Sequence, residues 1–143
     1  MSETEYAPSP WDPIAEHVEQ YLATGGQEGG VWMDAPCIIL ETIGRKSGKV
    51  RRTPLIRVQD GDDYLVIASM GGAPQHPVWY LNLVANPDVV LYDMAEVHEL
   101  RARVADDAEK ARRWPAATAV WPDYDQYQAS TERNIPLVVL EPR

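Results

Sequence analysis

Cys37-Ile38-Ile39-Leu40-Glu41-Thr42-Ile43-Gly44-Arg45-Lys46-Ser47-Gly48-Lys49-Val50-Arg51-Arg52-Thr53-Pro54-Leu55-Ile56 decides the fold class of this 143-residue chain. An apolar run from Cys37 continues through Ile43 and meets a turn rich in Gly and cations. The segment beyond the turn is decisive. Gly44 and Gly48 stand one position closer than the glycines of a nucleotide phosphate loop, and Val50 replaces its metal-binding hydroxyl. Val50 to Gln59 then reads as a second strand. Pro54 places that point at an edge or a bulge, because it has no N–H to give to a ladder. Strand, tight turn and strand make a hairpin and point to antiparallel pairing.

Similar punctuation recurs outward from this hairpin. Asp60-Gly61 predicts a turn into a third strand over Tyr64 to Ser69. Met70-Gly71-Gly72-Ala73-Pro74 breaks the chain. A short helix is expected from Pro77 over Val78 to Ala85, stopped by Asn86-Pro87. Val89 to Tyr92 and Val97 to Val104 form another hairpin. There Leu100, Ala102 and Val104 alternate with Glu99, Arg101 and Arg103, so one face is wet. Asp106-Asp107 caps a helix running towards Trp114, which Pro115 bends or ends. Ala116 to Thr131 reads as helical with a break at Pro122, and Ile135 to Leu140 as a last strand.

Upstream, residues 1–9 read as a disordered tail and Ser9-Pro10 as a helix start. Trp11, Ile14, Val18, Tyr21 and Leu22 recur at helical spacing until Gly25-Gly26. Gln27 to Ala35 is a Gly-rich loop. The order predicts an α+β fold in one domain over residues 10–143. Its core is an antiparallel barrel of about six strands with flanking helices.

Composition narrows the function. The formal charge is -9, yet five of the thirteen Lys and Arg fall between Arg45 and Arg52. A local positive loop on an acidic body focuses potential on one docking anion, whereas nucleic-acid binding favours a broad basic surface. No apolar run approaches a spanning helix, and the acidic start lacks a signal-peptide core. One cysteine, Cys37, excludes an internal disulfide. His17, His76 and His98 have no metal-ligand spacing. A cytoplasmic address is the expectation. Gly44, Ser47 and Gly48 are expected to turn backbone N–H groups into an anion-holding nest beside the cations.

Gly44 to Leu55 resembles the signature of the deazaflavin-dependent nitroreductase and quinone reductase family. Ala68-Ser69-Met70-Gly71-Gly72-Ala73-Pro74 and His76-Pro77-Val78-Trp79-Tyr80-Leu81-Asn82-Leu83-Val84-Ala85-Asn86-Pro87 look like its second and third blocks. Tyr124-Asp125-Gln126-Tyr127 through Arg133-Asn134-Ile135-Pro136 is similar to its C-terminal block. The resemblance implies a split β-barrel of the flavin-reductase and pyridoxamine-oxidase type. It implies reduced coenzyme F420 as cofactor, and hydride transfer to a quinone, nitroaromatic or activated alkene.

That cofactor carries a phosphate and an oligoglutamate tail. By the resemblance, Arg45, Lys46, Ser47, Arg51, Arg52 and Thr53 hold the anionic part, and Pro54, Leu55 and Ile56 continue along the cofactor. Ile67, Ala68, Ser69 and Met70 line the ring. Val78, Trp79, Tyr80, Leu81 and Asn82 close the site, with Tyr124 also touching the cofactor. Ser69, Tyr124 and Tyr127 are the expected catalytic hydrogen-bond donors, and Trp121, Tyr124 and Tyr127 the acceptor wall. Many relatives have Lys where Met70 stands, and Tyr is frequent where Trp121 stands. Expected partners are a small-molecule acceptor, a second copy of the chain, and peripheral contact with the inner membrane face; nucleic acid is not expected. A non-catalytic deazaflavin- or FMN-binding protein is the alternative reading.

Overall fold

The computed structural model describes Tyr6, residues 12–32 and residues 35–143. The helix start at Ser9-Pro10, Trp11 and, apart from Tyr6, the tail expected over residues 1–9 lie outside the described residues. Helix α1 (Asp12–Thr24) leads through a Gly-rich loop to β1 (Val31–Trp32). Strands β2 (Ala35–Ile43), β3 (Val50–Ile56), β4 (Val58–Asp60) and β5 (Asp63–Ile67) come next. A single 3-10 turn at Met70–Gly72 precedes α2 (Val78–Ala85). Then come β6 (Asp88–Asp93), β7 (Glu96–Val104), α3 (Asp107–Val120), α4 (Tyr124–Ala129) and β8 (Leu137–Pro142).

Among the described residues the named strands pair antiparallel throughout, with one isolated parallel bridge from Tyr6 to Val50, and β2, β6, β7, β8, β5 and β4 are neighbours in that order. Strands β3 and β4 are one stretch of chain bent at Arg57. Its first part pairs with β2 and its second with β5, so the sheet closes on itself. The eight strand segments therefore make six staves plus the short β1 at one edge. Pro54 sits opposite Ile39 on β3, whose other edge has no partner strand among the described residues. That is where a residue lacking an N–H is tolerated. The β4–β5 turn is centred on Gly61-Asp62, between the paired Asp60 and Asp63.

Burial follows from alternation. Ile38, Leu40, Tyr64, Val66, Val89, Leu91, Leu100, Ala102, Val138 and Leu140 point inward from five strands, and Trp79 and Leu83 of α2 join them. The outward side chains Leu65, Ile67, Leu137 and Val139 pack under Ala117 of α3 and Tyr124 of α4. Strands β5 and β8 are thus buried on both faces, which explains their unbroken apolar runs. Val104 departs from expectation: it lies past the core at the end of β7 and is exposed.

Pro115 neither ends α3 nor interrupts its assignment. Trp114, Ala116, Ala117 and Val120 pack on the barrel around it, and Pro115 itself is exposed. Packing outweighs the lost hydrogen bond, and solvent can satisfy the freed carbonyl. Asp106 caps the helix by accepting from the Glu109 N–H at 2.8 Å. The break at Pro122 separates α3 from α4 as expected.

Helix α1 docks on β2 through Val18 and Tyr21, against Cys37 and Ile39. The Tyr21 hydroxyl, wholly buried, accepts from the Met94 N–H at 2.7 Å. It lies 3.0 Å from the Cys37 carbonyl and 3.3 Å from the Tyr92 carbonyl; its one proton serves one of them at a time. Tyr21→Phe leaves that part-buried N–H without its protein acceptor. The expected loss is about 1–3 kcal/mol of unfolding free energy, measured by urea denaturation, and an unchanged midpoint would refute this anchoring.

Candidate active site

The open edge of β3 forms one wall of a cavity of about 900 Å³. It runs along β3 from Arg51 to Ile56, about 17 Å of extended chain. At the Ile56 end stands the ring wall, because Ile56 packs in the same cluster as Trp121, Tyr124 and Tyr127. Ile67, Ser69, Met70 and Gly71 supply a second side, and Pro77, Val78, Trp79 and Asn82 a third. Pro13, Ile14 and His17 of α1 complete the lining.

Although the chain has a formal charge of -9, no Asp or Glu is among the described residues lining this cavity. Its fixed charges are Arg51 and Arg52. They are not equivalent. Glu41 stands directly across the ladder from Arg52 and accepts from its Nε at 2.8 Å. The Glu41 carboxylate also accepts from the Tyr92 hydroxyl at 2.9 Å. The Arg52 guanidinium lies 4.6 Å from the Tyr6 ring centroid and 5.7 Å from that of Tyr92. Arg52 is therefore already compensated. Arg51, opposite Thr42, makes no ion pair among the described residues.

The turn from Gly44 to Lys49 differs from the expected nest. The Gly44 N–H donates to the Lys49 carbonyl and the Gly48 N–H to the Gly44 carbonyl, each at 2.8 Å. The Lys49 N–H donates to Ser47 Oγ at 3.2 Å. These amides close the turn and are not offered to a ligand. Gly44 is needed here because a Cβ would come 2.7 Å from Ser47 Oγ. The buried Asn82 side chain accepts from the Arg45 N–H at 3.1 Å and donates to Thr42 Oγ1 at 3.3 Å. It thereby ties the turn to α2. Arg45, Lys46 and Ser47 are exposed on this turn, outside the cavity lining.

Three other expected residues also lie outside the lining. Ala68 is buried in the barrel core. Tyr80 packs against that core and against His76, with ring centroids 4.7 Å apart. Leu81 is on α2, off the cavity. Arg51, Arg52, Thr53, Pro54, Leu55, Ile56, Ile67, Ser69, Met70, Val78, Trp79, Asn82, Trp121, Tyr124 and Tyr127 are brought together.

The ring wall carries hydroxyls suited to donation. Tyr124 is buried among Trp114 and Tyr127, with centroids 6.2 and 6.1 Å away. Burial, and then the neighbouring Tyr127, push its ionisation well above the ordinary value of 10.0. It stays a phenol, able to donate but a poor proton source. Tyr127 Oη accepts from Trp121 Nε1 at 3.3 Å, which leaves its own O–H to be given. Neither the Tyr124 hydroxyl nor Ser69 Oγ has a hydrogen-bond partner among the described residues.

The Ser69 wall rests on a residue that sequence reasoning assigned no role. Arg133 donates to the carbonyls of Ser69, Ala68 and Ala73 at 2.8, 2.9 and 3.0 Å, and reaches His76 Nδ1 at 2.9 Å. Its place in the block Arg133-Asn134-Ile135-Pro136, just before a buried strand, was the signal available. The loop it holds is strained: Met70, Gly71 and Gly72 all have positive φ, at 46, 64 and 85°. A Cβ on Gly72 would lie 2.3 Å from Ser130 Oγ, so close approach to α4 also requires glycine. Sequence reasoning likewise missed Pro13, Ile14, His17, Cys37, Gly71 and Pro77 as lining residues.

The F420H(2)-dependent quinone reductase family model matches residues 14–142. The chain is 38% identical over 131 residues to the F420H(2)-dependent quinone reductase Rv1261c of Mycobacterium tuberculosis, covering 89% of this chain and 88% of that protein. A solved structure of an F420-H2 dependent reductase, FDR-A, superposes with a TM-score of 0.70 at 40% identity, covering 74% of this chain and 94% of the other. A second, described as a domain-swapped dimer, gives 0.72 at 39% identity over 93% and 100% of the two chains. The heme storage protein HutZ of Vibrio cholerae, 14% identical with a TM-score of 0.58 over 91% and 90% of the chains, shares the fold alone.

Burial, and then the Arg133 charge, lower the proton affinity of His76 from its ordinary 6.5. The unfolded chain takes up that proton first. The stability contributed by neutral His76 is therefore full above about 6.5 and is lost as pH falls through the lowered folded value. His76→Gln should flatten this part of a stability–pH curve, and Arg133→Ala should speed amide exchange at residues 68–76. Parallel curves together with unchanged exchange would show that the Arg133 knot does not hold the loop.

These matches, over most of the chain and in register with the split barrel just described, place this protein in the F420H(2)-dependent quinone reductase family of enzymes.

Proposed function

We propose that this chain transfers a hydride from reduced coenzyme F420 to a quinone-class acceptor bound in the cavity beside β3. Nitroaromatics and activated alkenes belong to the same electrophilic class. The observation that carries this reading is the cavity itself: among the described residues, a groove lined by no carboxylate, with an Arg51 that makes no ion pair towards one end and a wall of rings and hydroxyls at the other. An amphipathic cofactor with a flat ring and an anionic tail fits that arrangement. When bound, reduced F420 supplies the hydride.

The protein's part is orientation and electrostatics. Arg51, with the exposed Arg45 and Lys46 beyond it, holds the anionic tail. Pro54, Leu55, Ile56, Ile67, Val78 and Trp79 give apolar surface to the ring. Ser69, Tyr124 and Tyr127 donate hydrogen bonds to the acceptor oxygen on which negative charge develops. Because the Tyr124 hydroxyl is buried and stays protonated, its donation needs no solvent reorganisation. Oxidation of the reduced cofactor by menadione tests the activity. Tight binding without turnover of menadione or a nitroimidazole would favour the carrier reading.

Arg51 and Arg52 separate cofactor grip from fold. Arg51→Ala should weaken F420 binding about tenfold or more, the value of one charge-assisted contact, with little change in unfolding temperature. Arg52→Ala should chiefly lower stability, since it leaves the partly buried Glu41 without its cation. Affinity by fluorescence titration and melting by calorimetry check both. The reverse assignment of the two effects would overturn the reading.

We further propose a cytoplasmic enzyme that pairs with a second copy and visits the membrane surface to collect lipophilic acceptors. No described helix is long and apolar enough to cross a membrane. Met70 and Val78 line the cavity and are 57% and 65% exposed, and Arg45 and Lys46 are exposed cations on the turn that Asn82 ties to α2. Sedimentation of the protein, alone and with anionic vesicles, should give a dimer mass and salt-sensitive co-pelleting. A monomer that stays in the supernatant would refute both.

A further inference from the structure

We infer that Trp121 is a positioning residue that makes the cavity prefer an oxidised acceptor to its reduced product, an inference that rests on the acceptor-site reading above. A quinone brings carbonyl oxygens, which only accept hydrogen bonds. The hydroquinone made from it brings O–H groups, and each needs an acceptor once it leaves water. A site tells the two apart by the direction in which its own hydrogen bonds run.

At Tyr127 that direction is set. Trp121 Nε1 lies 3.3 Å from Tyr127 Oη, and both residues line the cavity. An indole nitrogen has a hydrogen to give and no lone pair to offer, so Trp121 donates and Tyr127 accepts. A hydroxyl in place of the indole would allow either direction. With its oxygen engaged in this way, Tyr127 meets a ligand as a donor, and accepting one bond strengthens the bond it gives. Ser69 Oγ and the Tyr124 hydroxyl, beside it in the lining, have no hydrogen-bond partner among the described residues and can turn to give or to take. The selectivity therefore resides at Tyr127.

Both ends of the Trp121–Tyr127 bond are held by the backbone. The Trp121 N–H donates to the Ala117 carbonyl at 2.9 Å, and the Trp121 carbonyl accepts from the Tyr124 N–H at 3.2 Å. The Tyr127 N–H donates to the Asp123 carbonyl at 2.9 Å. Its carbonyl accepts from Ser130 Oγ at 2.9 Å. The Tyr127 ring meets Tyr124 edge-on, with centroids 6.1 Å apart. A carbonyl oxygen arriving at this wall accepts from Tyr127 and has a second lone pair for another donor. A hydroxyl arriving there brings a hydrogen to an oxygen already occupied by Trp121. The reduced product thus loses a contact that the acceptor had, which favours its release.

The test is binding to the full chain, with oxidised F420 present and oxygen excluded. The probes are menadione and menadiol, two redox states of one flat bicycle, followed by equilibrium dialysis. The parent should hold menadione about tenfold more tightly than menadiol, the worth of one hydrogen bond made against one donor left unmet. Trp121→Phe removes the N–H and keeps a flat apolar ring. The Tyr127 oxygen is then able to accept, so the ratio should fall to about one. A wall that was merely loosened would weaken both ligands alike and keep their ratio. Tyr127→Phe should abolish the preference as well, and adding Trp121→Phe to it should change the ratio no further. Equal affinities in the parent, or an unchanged ratio in Trp121→Phe, would overturn the inference. So would an unchanged ratio in Tyr127→Phe, which decides the matter should Trp121→Phe not fold, or a further change in the double variant. Failure of the parent to bind menadione at all would overturn the acceptor site itself, and this inference with it.

Discussion

The bend at Arg57 is the constraint on which the rest of the structure depends. One stretch of chain must serve two neighbours, β2 through β3 and β5 through β4. The Arg57 N–H donates to the Pro36 carbonyl at 2.7 Å, while its side chain donates to Asp93 at 2.9 Å. Asp93 is buried and also accepts from the Tyr64 hydroxyl at 2.6 Å. A buried carboxylate is tolerated when paired and hydrogen-bonded in this way. The pin closes the barrel and, by the same turn of the chain, leaves the outer edge of β3 without a partner strand among the described residues, apart from the single Tyr6–Val50 bridge. A free strand edge is ordinarily a liability. Here α1, α2 and the 68–76 loop gather around it and make it a cavity wall.

Charge is arranged around that edge with economy. Among the described residues no carboxylate lines the cavity, so the field they set up inside opposes the net charge of the molecule. Five clustered cations do not mean five ligand contacts. The register that sets Glu41 against Arg52 turns one of them into a cross-strand pair. Tyr92, which shares the Glu41 carboxylate, extends that pair to β6. Arg51, one residue away and on the other face of the strand, makes no ion pair among the described residues. Both arginines line the cavity, but only Arg52 is tied across the sheet by an ion pair among the described residues.

Much of this was legible in the sequence where the signal is local. Helix α2 and the hairpins follow from Pro, Asn-Pro and Gly punctuation, and the doubly buried β5 and β8 follow from their apolar runs. The position of Pro54 at an unpaired edge follows from its missing donor. What sequence could not give depends on register and on distant partners. The Gly44–Gly48 nest fails because its amides bond across the turn, a competition invisible in composition. The pairing of Arg52 needs the β2–β3 register, and the role of Arg133 needs a loop about sixty residues away. Pro115 misleads because propensity is a local quantity and the packing of α3 is not.

The Ser69 side of the cavity rests on a different kind of support from its β3 wall. Arg51 to Ile56 belong to a hydrogen-bonded strand, whereas Ser69 and Met70 sit on a loop with three successive positive φ values. Non-glycine residues seldom hold such a conformation unless surroundings over-determine it. Arg133 does so by capturing three carbonyls at once, and Gly72 does so by its contact with α4. The same α4 carries Tyr124 and Tyr127. Loop and ring wall are therefore fixed relative to each other before any ligand arrives, and strain at Met70 is offset by hydrogen bonds that lie outside the cavity. A substitution at Arg133 would thus loosen the Ser69 side of the cavity from outside its lining, by freeing the three carbonyls that hold the loop.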